Sequence, residues 1–260
     1  NYEGIILYRS GMNTLRNNNM TSNSYNFGVY GVSVSHYVND VDTSNSLNGK
    51  PIYYWVNQHD RQVPTNAGYV AVVNSTGIAA KDLNLSRNEQ GILFAYTTNS
   101  TIMNVIASGN YNGIYLWCSD NNTINDNNVI NNSDIGVGLY YSNNNTLAHN
   151  MVTDNGMGAC ATVSHYNYIN NNMVLRNIIG IYLDNSHNST VAMNKVTGGT
   201  FPKGLGGICL TTATGNVISE NMVSDNKFVI GAGIYLEWSS NDNTIIKNTI
   251  TNNSYGLSIG

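Results

Sequence analysis

Charged side chains are scarce in this chain, which excludes several classes of function. Eleven Lys and Arg and fifteen Asp and Glu make up 10% of its 260 residues, with a net charge of −4. The basic residues are scattered, so the sequence offers no surface for nucleic acid. A membrane-spanning helix needs a run of about 18 or more apolar residues, and no such run is present. We therefore expect no nucleic-acid partner and no membrane span in this segment.

What the chain has instead is a repeat that begins at a glycine. Segments similar to GIYLWCSDNNTI start at Gly91, Gly113, Gly136, Gly158, Gly180, Gly207, Gly233 and Gly256. Successive starts are 22–27 residues apart. Self-similarity at such a period is typical of a solenoid, in which each repeat forms one coil.

Within each repeat, apolar residues stand two apart, as on strands with one buried face. Ile114 and Leu116 represent the first two apolar columns. Two further columns begin at Ile102 and Ile106, with an asparagine column beginning at Asn104 between them. Asparagine tolerates left-handed turns and can hydrogen-bond to its copies in neighbouring coils. The columns predict an all-β fold, a single-stranded right-handed parallel β-helix of about ten coils with 22–27 residues per coil.

We expect residues 1–260 to form one β-helix domain, because no linker or change in composition divides them. The segment 39–67 interrupts the repeat, contains two of the three prolines, and is predicted to form a loop or hairpin insertion. Its aromatic residues Tyr53, Tyr54 and Trp55 are predicted to contact a partner. The chain begins and ends in the same phase of the repeat, so we expect a module of a longer chain or assembly.

The pattern NNTIxxNxVxxNxxGIxL resembles the Pbh1-type repeat of the NosD-like, CASH-domain family of right-handed β-helix proteins. Residues 48–78 also resemble the early coil of the NosD-like branch, which is typical of archaeal cell-surface proteins. The resemblance covers nearly the whole chain, but its motif residues build coils rather than a site. It implies three roles: binding of or chemistry on sugar polymers, copper handling, and cell-surface structure.

Sugar hydrolases of this shape use paired carboxyl groups, and the sequence has few candidates for such a pair. The best are Asp184 and Glu237, which share an outward position two coils apart, with Thr211 between them. Their backbones would lie about 9–10 Å apart. Two solvated surface acids would give the same pattern. We therefore predict that the protein is not an enzyme, with Asp184 and Glu237 as the catalytic candidates if it is one.

Candidate metal ligands show no convincing spacing. His165 and His187 stand one coil apart at nearly the same point of the repeat. Met151, Met173 and Met222 share a column, but other residue types interrupt it. Copper sites combine several Cys, Met or His ligands at close quarters. We predict no metal site and no cofactor, and keep copper handling as a third hypothesis.

The three cysteines are predicted to be free. Cys160 and Cys209 share a column two coils apart, which is about 9–10 Å. A disulfide requires Cα atoms within about 7 Å of each other. Cys118 lies at a different point of the coil. The sequence therefore predicts no disulfide.

One outward face is rich in aromatic residues. Tyr115, Tyr182 and Tyr235 occupy the outward position between the first two apolar columns, and Trp117 and Tyr140 occupy the next outward position. Such rings suit sugar rings or another protein surface. Tyrosine also favours strands without any binding role. The face is predicted to contact carbohydrate or to mediate assembly, and simple strand preference remains the alternative.

Asn-x-Ser/Thr sequons recur along the chain. They are Asn19, Asn74, Asn84, Asn99, Asn121, Asn131, Asn144, Asn188 and Asn252. Four of them recur at one corner of the coil, outside the core. They are predicted sites of N-glycosylation if the chain is extracellular, and turn residues otherwise.

Together these patterns favour an extracellular or cell-surface structural protein, such as a module of an S-layer, sheath or filament, or an adhesin. Its predicted partners are copies of itself or neighbouring surface modules, with polysaccharide as a further partner. The alternative is a carbohydrate-active β-helix, which would bind polysaccharide, hydrolyse it, or cleave it as a lyase does.

Overall fold

The computed structural model of the protein describes residues 1–198, 206–227 and 231–260. These residues form a right-handed parallel β-solenoid of about 11 turns, which confirms the predicted fold class. Its longest sheet, called the main sheet, takes one strand from each coil after residue 50. Those strands are β7 (Lys50–Val56), β8 (Tyr69–Val73), β11 (Gln90–Ala95), β14 (Asn112–Trp117), β17 (Ile135–Tyr140), β20 (Met157–Thr162), β23 (Ile179–Asp184), β26 (Gly206–Thr211), β29 (Ala232–Glu237) and β32 (Tyr255–Ile259).

Two sheets of short strands complete each coil. One contains β9 (Ala79–Lys81), β12 (Thr101–Met103), β15 (Thr123–Asn125), β18 (Thr146–Ala148), β21 (Tyr168–Asn170), β24 (Thr190–Ala192), β27 (Val217–Ser219) and β30 (Thr244–Ile246). The other contains β10 (Asn84–Ser86), β13 (Ile106–Ser108), β16 (Asn128–Ile130), β19 (Met151–Thr153), β22 (Met173–Leu175), β25 (Lys195–Thr197), β28 (Met222–Ser224) and β31 (Thr249–Thr251).

The predicted apolar columns fill the interior. Ile114 pairs in register with Val137, and the columns of the main sheet run through the coils as predicted. One coil departs from the prediction by one residue. There Ala107, rather than Ile106, aligns with Val129, and Ile106 is 41% exposed. The spacing of this coil is ordinary, since Ala107 follows Ile102 by five residues as Val129 follows Ile124. The prediction followed residue type there and placed two columns one residue too early.

Asparagine ladders close the corners of the coils. Asn127 donates from its backbone N and its Nδ2 to Asn150 Oδ1, at 3.0 and 2.9 Å. The same Nδ2 donates to the carbonyl of Ile102 at 3.1 Å. Because each buried amide bonds both neighbouring coils, its polar atoms are satisfied without water. Asn104 does not belong to this ladder, since Val105 occupies the position and donates to Asn127 Oδ1.

Residues before β7 form a smaller stack of two coils, called the N-terminal stack. Its elements are β1 (Glu3–Tyr8), β2 (Thr14–Leu15), β3 (Asn19–Met20), β4 (Tyr25–Tyr30), α1 (Val34–Tyr37), β5 (Asp40–Val41) and β6 (Ser46–Leu47). Within it, β1 pairs with β4, β2 with β5 and β3 with β6, all in parallel. β6 then pairs antiparallel with β7, so a hairpin within segment 39–67 joins the stack to the main sheet.

The N-terminal stack packs against the outer face of the main sheet. The backbone N–H of Glu89 donates to the carbonyl of Phe27 at 3.0 Å. The Phe27 ring meets Tyr69 edge-on, with ring centroids 5.0 Å apart. Outward-facing residues of the sheet, including Leu93, are therefore buried in a second hydrophobic cluster beneath the stack. This packing creates a concave edge where the N-terminal stack ends and the uncovered part of the main sheet begins.

Candidate functional site

A cleft of about 710 Å³ lies along that edge. On the side of the N-terminal stack it is lined by Tyr2, Glu3, Ile6, Tyr8 and Tyr30. On the side of the main sheet it is lined by Glu89, Tyr111, Asn112, Tyr115, Asp134, Ile135 and Tyr140. Six of these twelve residues are tyrosines, and we call the site the tyrosine cleft.

Stacked rings from successive coils form one side of the cleft. Tyr115 stacks on Tyr140 with centroids 5.0 Å apart, and Tyr30 approaches Tyr115 edge-on at 6.3 Å. The residue opposite Tyr115 in the next coil is Gly138. A Cβ atom at Gly138 would lie 3.1 Å from the Tyr140 ring and 3.5 Å from the Tyr115 ring. Because glycine has no side chain, this position leaves space for the rings of Tyr115 and Tyr140 to contact each other.

Glu89 is a buried carboxyl group in this cleft, with only 5% of its surface exposed. The Tyr30 hydroxyl donates to Glu89 Oε2 at 2.8 Å. Gly28 allows β4 to approach, because a Cβ there would lie 2.2 Å from the Glu89 Cβ. Burial raises the pKa of Glu89 above its ordinary value, the hydrogen bond from Tyr30 opposes this, and the nearby charge of Glu3 adds to it.

Asp134 supplies a second carboxyl group from the same column. Glu89, Tyr111 and Asp134 occupy equivalent positions in three successive coils, since Tyr111 N–H bonds Asn88 O and Asp134 N–H bonds Tyr111 O, both at 2.9 Å. The backbones of the two acids are thus two coils apart, or about 9–10 Å. Burial raises the pKa of Asp134, and a hydrogen bond from Tyr111 partly opposes the shift.

The raised pKa values predict a pH dependence of stability. The folded state holds the protons of Glu89 and Asp134 more tightly than the unfolded chain does. Their contribution to the free energy of unfolding is therefore complete below the unfolded pKa and is lost as pH rises through the folded value. We expect the free energy of unfolding, measured with urea between about pH 4 and pH 7, to fall less steeply with rising pH in Glu89→Gln than in wild type. Parallel curves would contradict the assignment.

The predicted aromatic face is divided into separate groups. Tyr115 and Tyr140 lie in the tyrosine cleft, and Trp117 stacks beside Tyr140 with centroids 6.2 Å apart. Tyr182 and Tyr235 stand farther along the main sheet. In their column, Gly138 and Cys160 separate Tyr115 from Tyr182, and Cys209 separates Tyr182 from Tyr235. The five rings therefore do not form one continuous stripe.

Asp184 and Glu237 lie outside the lining of the tyrosine cleft. They occupy one column with Thr211 between them, at the separation that the sequence predicts. Glu237 accepts hydrogen bonds from Thr211 Oγ1 at 3.1 Å and from Tyr235 OH at 3.0 Å. Partial burial raises the pKa of Asp184. This pair forms an open polar patch on the sheet rather than an enclosed site.

The aromatic residues of segment 39–67 point in different directions. Tyr54 is 7% exposed, and its hydroxyl donates to the Tyr37 carbonyl inside the N-terminal stack. Burial raises the pKa of Tyr54 to about 12. Tyr53 and Trp55 remain half-buried, and the Arg61 guanidinium lies 4.6 Å from the Trp55 ring centroid. Tyr53 and Trp55 also pack against the interior hydrophobic cluster, so contact of this segment with a partner stays a prediction.

All nine sequon asparagines are exposed. Asn99, Asn121, Asn144 and Asn188 share a corner at which the backbone φ lies between 50° and 57°. Their glycosylation stays a prediction.

In the column of Cys160 and Cys209, the side chain of Tyr182 stands between the two thiols.

Five residues of the cleft were not predicted from the sequence: Glu89, Asp134, Tyr111, Asn112 and Tyr30. A signal for three of them was present, because Glu89, Tyr111 and Asp134 each stand two residues before a repeat glycine. Tyr30 could not be placed, since its position depends on how the N-terminal stack packs on the sheet.

The fold and the cleft define a right-handed parallel β-helix protein with a lateral site. Residues 39–200 and 162–260 match the family described as "Periplasmic copper-binding protein (NosD)". The chain therefore belongs to the NosD family. No curated protein is significantly similar to it in sequence. No helix in the described part of the chain is long and apolar enough to cross a membrane.

Similar solved structures share the fold at low sequence identity. The periplasmic alginate epimerase AlgG matches with a TM-score of 0.65 and 17% identity, over 86% of this chain and 59% of that one. A DFA-IIIase from Arthrobacter chlorophenolicus A6, solved with DFA-III, matches with a TM-score of 0.60 and 12% identity, over 98% and 76%. The A-module of the Azotobacter vinelandii mannuronan C-5 epimerase AlgE4 gives 0.50 and 12%, over 99% and 89%. This chain spans 59% of the length of AlgG.

These structures overturn the prediction that the protein is not an enzyme. All three similar proteins are carbohydrate-active enzymes, so the fold gives no ground for that exclusion. The prediction relied on the lack of obvious acid pairs in the sequence. It considered only Asp184 and Glu237, whereas Glu89 and Asp134 also line one cleft from positions two coils apart.

The family description names copper, but the described residues do not fit a copper centre. The rings of His165 and His187 are stacked in parallel, 4.9 Å apart at 7°. One ion cannot lie in both ring planes, as ligation by both would require. Met151 and Met173 are adjacent, but the next residue in their column is the cation Lys195. Among described residues, no three His, Cys, Asp or Glu side chains are grouped to hold a metal.

Proposed function

We propose that the protein binds a sugar chain in the tyrosine cleft and acts on a glycosidic bond there. Glu89 is the proposed proton donor, and Asp134 the proposed second carboxyl group. The observation that carries this proposal is the joint presence in one cleft of six tyrosines and two acids whose pKa values burial raises.

The tyrosines suit a sugar for two reasons. Their ring faces can pack on the apolar C–H faces of pyranose rings, and their hydroxyls can bond sugar hydroxyls. Tyr115 and Tyr140 provide a stacked pair in the lining of the cleft, where Tyr115 is buried and Tyr140 is half-buried. A concave, mostly apolar site with a few polar groups is the usual form of a small-molecule site.

The carboxyl groups suit acid catalysis. A proton donor must keep its proton near the working pH, and burial of Glu89 favours the protonated form. Its backbone separation from Asp134, about 9–10 Å, is compatible with inverting glycosidases, whose carboxyl groups stand about 6.5–9.5 Å apart. In such a reaction Glu89 would protonate the leaving oxygen, and Asp134 would take a proton from the attacking water.

The similar structures support a carbohydrate-related role, since they are named for action on alginate, mannuronan and DFA-III. The family description supports placement in the periplasm or outside the cell. The predicted surface-module role, self-association, archaeal origin and glycosylation stay predictions. A role in copper handling is not proposed, because the donor arrangement does not fit.

Oligosaccharide binding tests the proposal. We expect Tyr140→Ala to weaken binding of the tightest oligosaccharide by about 10-fold or more, as loss of a buried aromatic contact costs about 1–2 kcal/mol or more. Titration calorimetry with a panel of oligosaccharides measures this effect. The matched control is Tyr168→Ala, because Tyr168 is an outward tyrosine on β21, away from the cleft. Equal weakening by both variants, or no binding by wild type, would contradict the proposal.

A further inference from the structure

The tyrosine cleft carries charges of one sign. Its ionisable lining residues, apart from tyrosine, are Glu3, Glu89 and Asp134. Among the residues lining it, there is no Lys, Arg or His. The two carboxyl groups on the main sheet are half-buried or buried, so water screens them less than it would on an open surface.

A buried amide lies behind the surface of the cleft. Asn112 lines it and is 2% exposed. Its Nδ2 donates to the Tyr30 hydroxyl at 3.2 Å, while its Oδ1 has no partner among the described residues. Because Oδ1 has less than 1 Å² of accessible surface, it offers no hydrogen bond to a ligand, and the polar character of the cleft comes from its carboxyl groups and tyrosines.

Acceptors and negative charge therefore dominate the polar groups of the cleft. The carboxyl groups of Glu3, Glu89 and Asp134 can all accept hydrogen bonds, and the tyrosine hydroxyls are the main donors. A ligand rich in hydroxyl, amide N–H or ammonium groups matches this arrangement. A ligand carboxylate would be brought against the negative charges of Glu3 and Asp134 and would find no Lys, Arg or His in the lining to pair with.

We infer that the tyrosine cleft accepts neutral or amino sugars and excludes uronate chains. This inference rests on the proposed function and specifies its substrate class. Its basis is charge and hydrogen-bonding capacity, which the fold alone does not determine.

Calorimetric titration with three probes of equal length tests the inference. The probes are tetramers of N-acetylglucosamine, glucosamine and mannuronate, at neutral pH and low ionic strength. We expect the mannuronate tetramer to bind at least about tenfold more weakly than the tighter of the other two. The difference should shrink at high salt, which screens the repulsion, and in Asp134→Asn, which removes one charge.

Glu220→Gln is the matched control, since it also removes one negative charge but lies at an exposed corner away from the cleft. This variant should leave the difference in affinity between the mannuronate tetramer and the other probes unchanged. Mannuronate binding as tight as that of both other probes would overturn the inference and leave the proposed function standing. Failure of all three probes to bind would remove the proposed function, and the inference with it.

Discussion

Glu89→Gln is expected to lower kcat/KM for the best sugar substrate by about 10²–10⁴-fold. Glutamine cannot donate the proton that the leaving oxygen requires. It keeps the size of the side chain and an oxygen that can still accept the hydrogen bond from Tyr30. The variant should therefore fold, and its loss should fall mainly on kcat. Release of reducing ends from the oligosaccharide panel, followed over time, measures both constants.

Two companion variants distinguish catalysis from general damage to the cleft. Asp134→Asn should also lose turnover, because it removes the group proposed to activate water. Glu220→Gln should keep wild-type turnover, since Glu220 is exposed on a distant corner. Wild-type kcat in Glu89→Gln would contradict the proposed proton donor, even if the sugar still binds.

Asn150→Ala is expected to lower the free energy of unfolding by about 3–5 kcal/mol. Asn150 Oδ1 accepts from the N and Nδ2 of Asn127, at 3.0 and 2.9 Å. Its Nδ2 donates to the carbonyl of Ile124 and to Asn172 Oδ1, both at 2.9 Å. Alanine would leave several of these buried groups without partners. Urea unfolding followed by circular dichroism measures the loss.

Asn241→Ala provides the control for that measurement, because Asn241 is exposed in the loop after β29. Its effect should stay within about 0.5 kcal/mol. A similar small effect in Asn150→Ala would mean that the asparagine ladders shape the corners without stabilising the coil.

The coil could be predicted because its determinants repeat. Each apolar position recurs in successive repeats, so its assignment in one repeat can be checked against the others. Ile106 and Asn104 show the limit of this method. Their residue types match the columns, but the spacing of the neighbouring coils places Val105 and Ala107 there instead, as the pairing of Ala107 with Val129 shows.

The tyrosine cleft could not be predicted, because it depends on an interaction that occurs once. The N-terminal stack follows the repeat pattern well enough to suggest another end coil. Its strands instead lie beside the main sheet, and this brings Tyr30 onto Glu89. Packing between distant segments depends on surface shape and leaves no period in the sequence. Tyr115 and Tyr140 were identified as outward residues, but the wall that makes them part of a cleft was not.

The location of a bound sugar tests the central claim most directly. We would determine the crystal structure of the protein with the tightest-binding neutral oligosaccharide. We expect sugar rings in the tyrosine cleft, packed against Tyr115 and Tyr140, with a glycosidic oxygen near Glu89. Sugar bound instead on the open patch of Asp184 and Glu237, with the tyrosine cleft empty, would contradict it.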